Sequence, residues 1–215
     1  AELVQRLYTL AGGGAVFADA VESGTNGWAA SGLWHVAADL SSSPAHSWGY
    51  NNGASYNTGS RSAGELVSPW IDLRPAASAT LSFQSWYETE DTGTTWDRKL
   101  IFVTTDGTNW SQVLQVSGVM RQWTPLSTDL SAFAGQRIRL KFVFDTIDGV
   151  LNNYRGWYVD DIRVKMIGSG ILYFDGFDNA ALPGWTRAAG AANWTADAGA
   201  LHATRIGNSD NILAA

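Results

Sequence analysis

The sequence predicts an all-β chain: an antiparallel two-sheet jelly-roll sandwich over residues 15–166, followed by the opening strands of a second jelly roll. Three observations lead there. Apolar and polar residues alternate with period two in many short runs, the spacing of half-buried strands. No stretch shows the 3.6-residue repeat of a convincing amphipathic helix. Turn formers punctuate the runs, with 23 Gly in 215 residues, so the chain reverses direction often.

Two strands show the alternation well. In "ATLSFQSWYE", Leu81, Phe83, Ser85 and Tyr87 share one face, and Ser82, Gln84, Trp86 and Glu88 share the other. In "RIRLKFVFD", Ile138, Leu140, Phe142 and Phe144 alternate with Arg137, Arg139, Lys141 and Val143, a half-buried strand with a basic outer face. "KLIFVTTDGTNWSQVLQV" reads as a hairpin turning at Asp106-Gly107, where glycine accepts a positive φ. Further strands are expected near 15–22, 33–38, 65–73, 121–128 and 156–165.

An internal repeat extends the reading. "VFADAVESGTNGW" near residue 17 matches "YFDGFDNAALPGW" near residue 173, pairing Asp19 with Asp175, Glu22 with Asp178 and Trp28 with Trp185. The expected domains are a leader strand or linker at 1–14, the jelly roll at 15–166, a linker at 167–170 and a partial jelly roll at 171–215. About 45 residues are too few to close a second sandwich unaided. The expectation is truncation of a longer protein, or completion by another chain.

Composition narrows the function classes. A net charge of −6 argues against nucleic acid or anionic lipid and suits divalent cations. With no cysteine, disulfides, thiol catalysis and Cys-based zinc sites are excluded. No apolar run approaches the ~20 residues that cross a bilayer. The three histidines, His35, His46 and His202, lack the His-Glu-x-x-His spacing of a zinc peptidase. Gly-x-Ser-x-Gly is absent as well. Glu88 and Glu90 share a strand face, but a carboxylate pair alone is weak ground for catalysis. No catalytic residues are assigned, and the chain reads as a non-enzyme.

Carboxylates in strand-like settings are the clearest functional signal. "GWYVDDIRV" places Asp160 and Asp161 in the middle of an apolar strand, where an unpaired charge is costly. In a jelly roll the first and last strands often lie side by side, which would bring Asp19 and Glu22 to Asp160 and Asp161. So many carboxylates repel one another unless a cation lies between them. Calcium, with six to eight oxygen ligands, is the expected cofactor. The competing reading is that either Asp caps a turn, or pairs with Arg155 or Arg163. A second acidic run, "ETEDTGTTWD", offers Glu88, Glu90, Asp91 and Asp97 as ligands for a second calcium, but the spacing is not that of an EF-hand loop, and a solvated loop is expected.

"VFADAVESGTNGW", "SPWIDL", "SWYETEDTGTTWDRKLIFVTTDGTNW", "GQRIRLKFVFDT" and "GWYVDDIRV" together resemble the MAM-like jelly-roll module. That module accompanies immune-inhibitor-A-type secreted metallopeptidases and many bacterial cell-surface proteins. The chain is also similar, more distantly, to calcium-stabilised carbohydrate-binding modules. There a Glu of the first strand and an Asp of the last hold a structural Ca²⁺. By motif the resemblance implies Glu22 and Asp160 as ligands, with Asp19 as companion.

Eleven tryptophans supply either core or ligand platform. Trp48, Tyr50 and Tyr56 stand in the loop-like stretch "SPAHSWGYNNGASYNTGSRS", and Trp86 and Trp96 flank the acidic run. A recognition surface and packing against the sandwich are equal competitors for these five. The function expected is a non-catalytic, calcium-stabilised binding or adhesion module of a secreted or cell-surface protein, with a glycan or an extracellular protein surface as partner. Two alternatives stand beside it. One is a structural subunit that self-associates through unpaired strands, the leader "AELVQRLYTL" included. The other is an accessory domain of a secreted metallopeptidase.

Overall fold

The computed structural model describes residues 14–168 together with the short strands at 186–189, 193–197, 200–204 and 212–214. By contacts the chain divides into two compact units, and Thr9–Gly170 is one of them.

That unit is the expected sandwich of two antiparallel sheets. The first sheet is ordered β10 (Thr124–Asp129), β7 (Ala76–Glu88), β12 (Gly156–Gly168), β4 (Ser47–Tyr50) and β3 (Trp34–Ala37), with β1 (Gly14–Asp19) also pairing β12. The second is ordered β2 (Ala29–Ala30), β5 (Ala63–Val67), β11 (Arg137–Asp145), β8 (Arg98–Thr104) and β9 (Ser111–Val116), with β6 (Ile71–Asp72) on β11. The hairpin β8–β9 pairs as its sequence predicts, and Gly107 at the turn has φ +82°.

The core forms where the alternation places it. Ile138, Leu140, Phe142 and Phe144 are all fully buried, and so are Leu81 and Val159. Phe83 meets Phe142 edge to face at 5.4 Å, and Trp157 lies 5.3 Å from Trp34 and 6.0 Å from Phe142. Such aromatic pairs add about 0.5–1.5 kcal/mol each beyond area burial.

Two strands escape the sequence reading, β4 and the two-residue β2. Ser47–Tyr50 lies inside a stretch rich in Gly, Ser and Asn, yet it is an interior strand between β3 and β12, with all four residues buried. Its buried Gly49 interrupts any apolar alternation, so neighbours on both sides, not local pattern, place it in the sheet. Gly156 opens β12 with φ +96°, and a Cβ there would lie 2.2 Å from the Tyr50 carbonyl oxygen. Only glycine lets β12 approach β4 this closely.

β12 continues to Gly168, so strand pairing with β7 runs into the segment expected as linker. Beyond it, β13 (Thr186–Ala189) pairs β16 (Ile212–Ala214), and β14 (Asn193–Asp197) pairs β15 (Ala200–Thr204), all antiparallel. Asp175 and Asp178 of the repeat lie outside the described residues.

Candidate functional site

The first and last strands of the sandwich do lie side by side. β1 pairs β12 antiparallel, with Asp19 opposite Ile162 and Phe17 opposite Val164. β4 pairs the same edge of β12 further along, at Trp157–Val159. Asp160 and Asp161 therefore fall in the gap between β1 and β4. A bulge lies here, because the register against β7 shifts between Asp160 and Arg163, and Asp161 takes φ +50°. The extra residue resolves the puzzle of two adjacent carboxylates: Val159 and Ile162 both face the core, and neither Asp has to.

Asp160 is fully buried beneath the segment that precedes β4. Its Oδ2 accepts the backbone N–H groups of Ser42 and Ser43, both at 2.8 Å, and its Oδ1 accepts that of Asp161 at 2.6 Å. Glu22 grips the same segment from the other side: Oε1 accepts the N–H groups of Ala45 at 3.1 Å and His46 at 3.0 Å. These two backbone donors hold the Glu22 carboxyl at about 2, well below its usual range. Between them sits Ser43, whose Oγ lies 3.0 and 3.1 Å from the Asp160 oxygens, 3.2 Å from Glu22 Oε1 and 3.1 Å from the Ala20 carbonyl.

A hydroxyl has one proton to donate. Four acceptor oxygens around Ser43 Oγ leave most of those contacts oxygen against oxygen, the electrostatic arrangement that a cation relieves. Two carboxylates, a main-chain carbonyl and a hydroxyl are also the ligand chemistry of a hard divalent ion. Glu22, Asp160, Ser43 and the Ala20 carbonyl are the groups here that could hold calcium, which would compete with the backbone N–H donors already on both carboxylates and with His46 Nδ1, 3.3 Å from Glu22 Oε2. The set rests on two carboxylates; no three His, Asp or Glu side chains are gathered as a metal centre among the described residues.

The other two expected ligands serve elsewhere. Asp19 is buried and spends its oxygens on N–H donors: Oδ1 accepts Val21 N at 2.9 Å and Asn26 Nδ2 at 2.8 Å, and Oδ2 accepts Trp28 Nε1 at 2.7 Å. It shapes the turn that carries Glu22. Val21 is held there at φ +63°, a costly conformation for a β-branched residue. Asp161 pairs with Arg163 at 3.1 Å, the partner named by the competing reading. Ser43 and the Ala20 carbonyl were missed, because a serine in "SSSP" and a main-chain oxygen leave no mark in a sequence.

The aromatic candidates need correction. Trp48, Tyr50 and Tyr56 are 1%, 0% and 0% exposed, so none can stack on an external ligand. They are core because β4 is an interior strand and Tyr56 packs on Phe144 at 5.1 Å. Trp86 is also buried, edge to face with Tyr158 at 5.5 Å, with the Arg155 guanidinium 5.7 Å over its ring. Trp96 alone of the five is exposed. The acidic run differs from a solvated loop too, since Asp97 is fully buried.

What the structure offers as an open surface is the outer face of the first sheet. Ser78, Thr80, Ser82 and Gln84 of β7 lie beside Arg163 and Lys165 of β12. A depression of about 510 Å³ is lined by Ser78, Thr80, Ser82 and Lys165 together with Ala79, Met166 and Ile167, and a neighbouring one of about 200 Å³ by Ser82, Gln84, Asp161 and Arg163 together with Phe83, Pro125 and Leu126. Arg163 on this face is paired with Asp161, whereas among the described residues no side-chain hydrogen bond engages Ser78, Thr80, Ser82, Gln84 or Lys165.

No family model matches the chain. The chain is 31% identical over 150 residues to bacillopeptidase F of Bacillus subtilis, a match covering 66% of this chain and 10% of that protein. It is 34% identical over 128 residues to the pre-pro-metalloprotease PrtV of Vibrio cholerae, covering 54% of this chain and 14% of that one. The chain thus spans a small fraction of these relatives. Among solved structures, a cleaved adhesin domain of the Lys-gingipain of Porphyromonas gingivalis superposes with TM-score 0.51 at 15% identity, covering 70% of this chain and 98% of that one. A carbohydrate-binding module in complex with β-1,4-galactotriose gives TM-score 0.47 at 15% identity, covering 67% and 92%. The jelly-roll fold and the resemblance to modules that accompany peptidases both hold.

Proposed function

We propose that residues 14–168 are a non-catalytic recognition module of a larger extracellular protein, that its ligand is a neutral glycan, and that calcium pins its first strand to its last. The observation that carries the glycan reading is the row of uncommitted polar side chains on the outer face of the first sheet. Hydroxyl, amide and ammonium groups in a shallow, open depression suit a polyhydroxyl chain, which offers donors and acceptors along its whole length. Trp86 and Tyr158 brace one end of that sheet face without being free to stack.

Native gels cast with xylan or β-1,4-galactan test this reading. The wild-type chain is expected to be retarded, and the triple change Ser82→Ala, Gln84→Ala, Lys165→Ala should restore mobility with little change in melting temperature. Free migration of the wild type in every neutral polysaccharide tried sinks the glycan reading. An accessory role within a peptidase, favoured by the peptidase relatives, would then stand in its place.

Calcium is supported by the oxygen cluster around Ser43. An ion present at about 100 times its dissociation constant stabilises by roughly 2.7 kcal/mol. In a domain of this size that corresponds to a rise in Tm of about 5–10 °C. Melting in millimolar Ca²⁺ against EDTA should show the rise in wild type and its loss in Glu22→Gln; equal midpoints in wild type would remove calcium from this site.

A further inference from the structure

The loops at one end of the sandwich hold a concentration of buried oxygen that no protein donor serves. Among the described residues, five buried side-chain polar atoms lack a hydrogen-bond partner: Tyr87 Oη, Glu90 Oε2, Asp97 Oδ1, Asn152 Oδ1 and Trp48 Nε1. The first four belong to the end of β7, the β7–β8 loop and the β11–β12 loop. Asp97 is 0% exposed and Asn152 1%.

Hydrogen bonds tie these loops together. The other oxygen of Asp97, Oδ2, accepts the Tyr56 hydroxyl and the Glu90 N–H, the latter at 2.8 Å. Tyr56 N donates to the Tyr154 carbonyl at 3.2 Å, and Asn152 Nδ2 to the Asp148 carbonyl at 3.1 Å. Burial pushes the Glu90 carboxyl upward, and the charges of Asp97, Asp148 and Asp91 push it further. Four carboxylates therefore share one field. The cation within them is Lys99, fully buried, whose Nζ donates to the Asp97 carbonyl at 2.9 Å and to Thr89 Oγ1 at 3.3 Å. Its ammonium thus serves other oxygens and leaves Asp97 Oδ1 and Glu90 Oε2 unserved. Gly93 closes the loop over it, where a Cβ would lie 2.3 Å from Nζ.

We propose that this end of the sandwich binds a second divalent cation, calcium by its all-oxygen ligand chemistry, through Glu90, Asp97 and Asn152. Two carboxylate oxygens and one amide oxygen are the kind of donors calcium takes. The negative charge left over after Lys99 gives the ion its electrostatic hold. This site uses none of the residues of the Glu22–Asp160 cluster.

The test is calorimetric titration of calcium chloride into the chelator-treated full chain, for wild type, Glu90→Gln and Glu22→Gln. Wild type is expected to take up two ions per chain. Glu90→Gln, at a half-buried position that tolerates an isosteric amide, should lose one of them or weaken it at least tenfold. Glu22→Gln should affect only the other. Unchanged stoichiometry and affinity in Glu90→Gln overturn the inference. If Glu90→Gln loses an ion and Glu22→Gln does not, the inference stands and calcium at Glu22 falls. Asp97→Asn, which keeps an acceptor for Tyr56, is the second variant and should match Glu90→Gln.

Discussion

Asp160→Ala is expected to destabilise the sandwich by about 3–5 kcal/mol, measured as the shift in urea midpoint at constant m-value. The buried carboxylate of Asp160 is the acceptor for three backbone N–H groups, those of Ser42, Ser43 and Asp161. Hydrogen bonds to a charged acceptor contribute about 1.5–3 kcal/mol each, and they do not add fully. Removing the acceptor strands these donors at the junction where β12 passes from β4 to β1. Asp160→Asn retains one carbonyl oxygen and should lose less than half as much. A loss below about 1 kcal/mol for the alanine variant would show that the segment before β4 does not depend on this anchor.

The second large effect is expected at Trp48. Trp48→Ala should cost about 3–5 kcal/mol, the usual range for emptying a large aromatic site in a core. Trp48 is 1% exposed, and Trp28 packs on it at 6.2 Å. In the same gels that test glycan retardation, folded Trp48→Ala should migrate as wild type does, because its ring never reaches the surface. Loss of retardation with unchanged stability would return Trp48 to the role of ligand platform and overturn its place in the core.

How far the sequence reaches is clearest from particular elements. β7 and β11 were legible because each has one buried and one outer face, so the period-two pattern survives intact. The hairpin β8–β9 was legible because Asp106-Gly107 is a local turn signal. β4 was not, because a four-residue interior strand with a central glycine carries no pattern of its own. From that omission followed the candidacy of Trp48 and Tyr50 for a recognition surface, while Tyr56, in the loop after β4, is held inside by Phe144 and Asp97.

The candidate site divides the same way. Pairing of the first and last strands was expected from the jelly-roll class, and the choice of Glu22 with Asp160 from the resemblance to calcium-stabilised modules. The separate duties of Asp19 and Asp161 could not be anticipated. Asp19 is satisfied by a turn that closes within nine residues, down to the Trp28 indole. Asp161 is turned aside by a bulge at the point where β12, paired to β7 throughout, passes from β4 to β1.

By itself, then, the sequence determined the all-β class, the two-sheet sandwich and the strands whose faces alternate, since burial periodicity and turn chemistry are written residue by residue. Tertiary structure alone decided which aromatics are core, which donors each carboxylate accepts, and that Asp97 and Lys99 lie inside the molecule. Those outcomes depend on distant segments meeting, as Ser43 meets Asp160 and Tyr56 meets Asp97, and a hydrogen bond spanning 117 or 41 residues leaves no local trace in the chain.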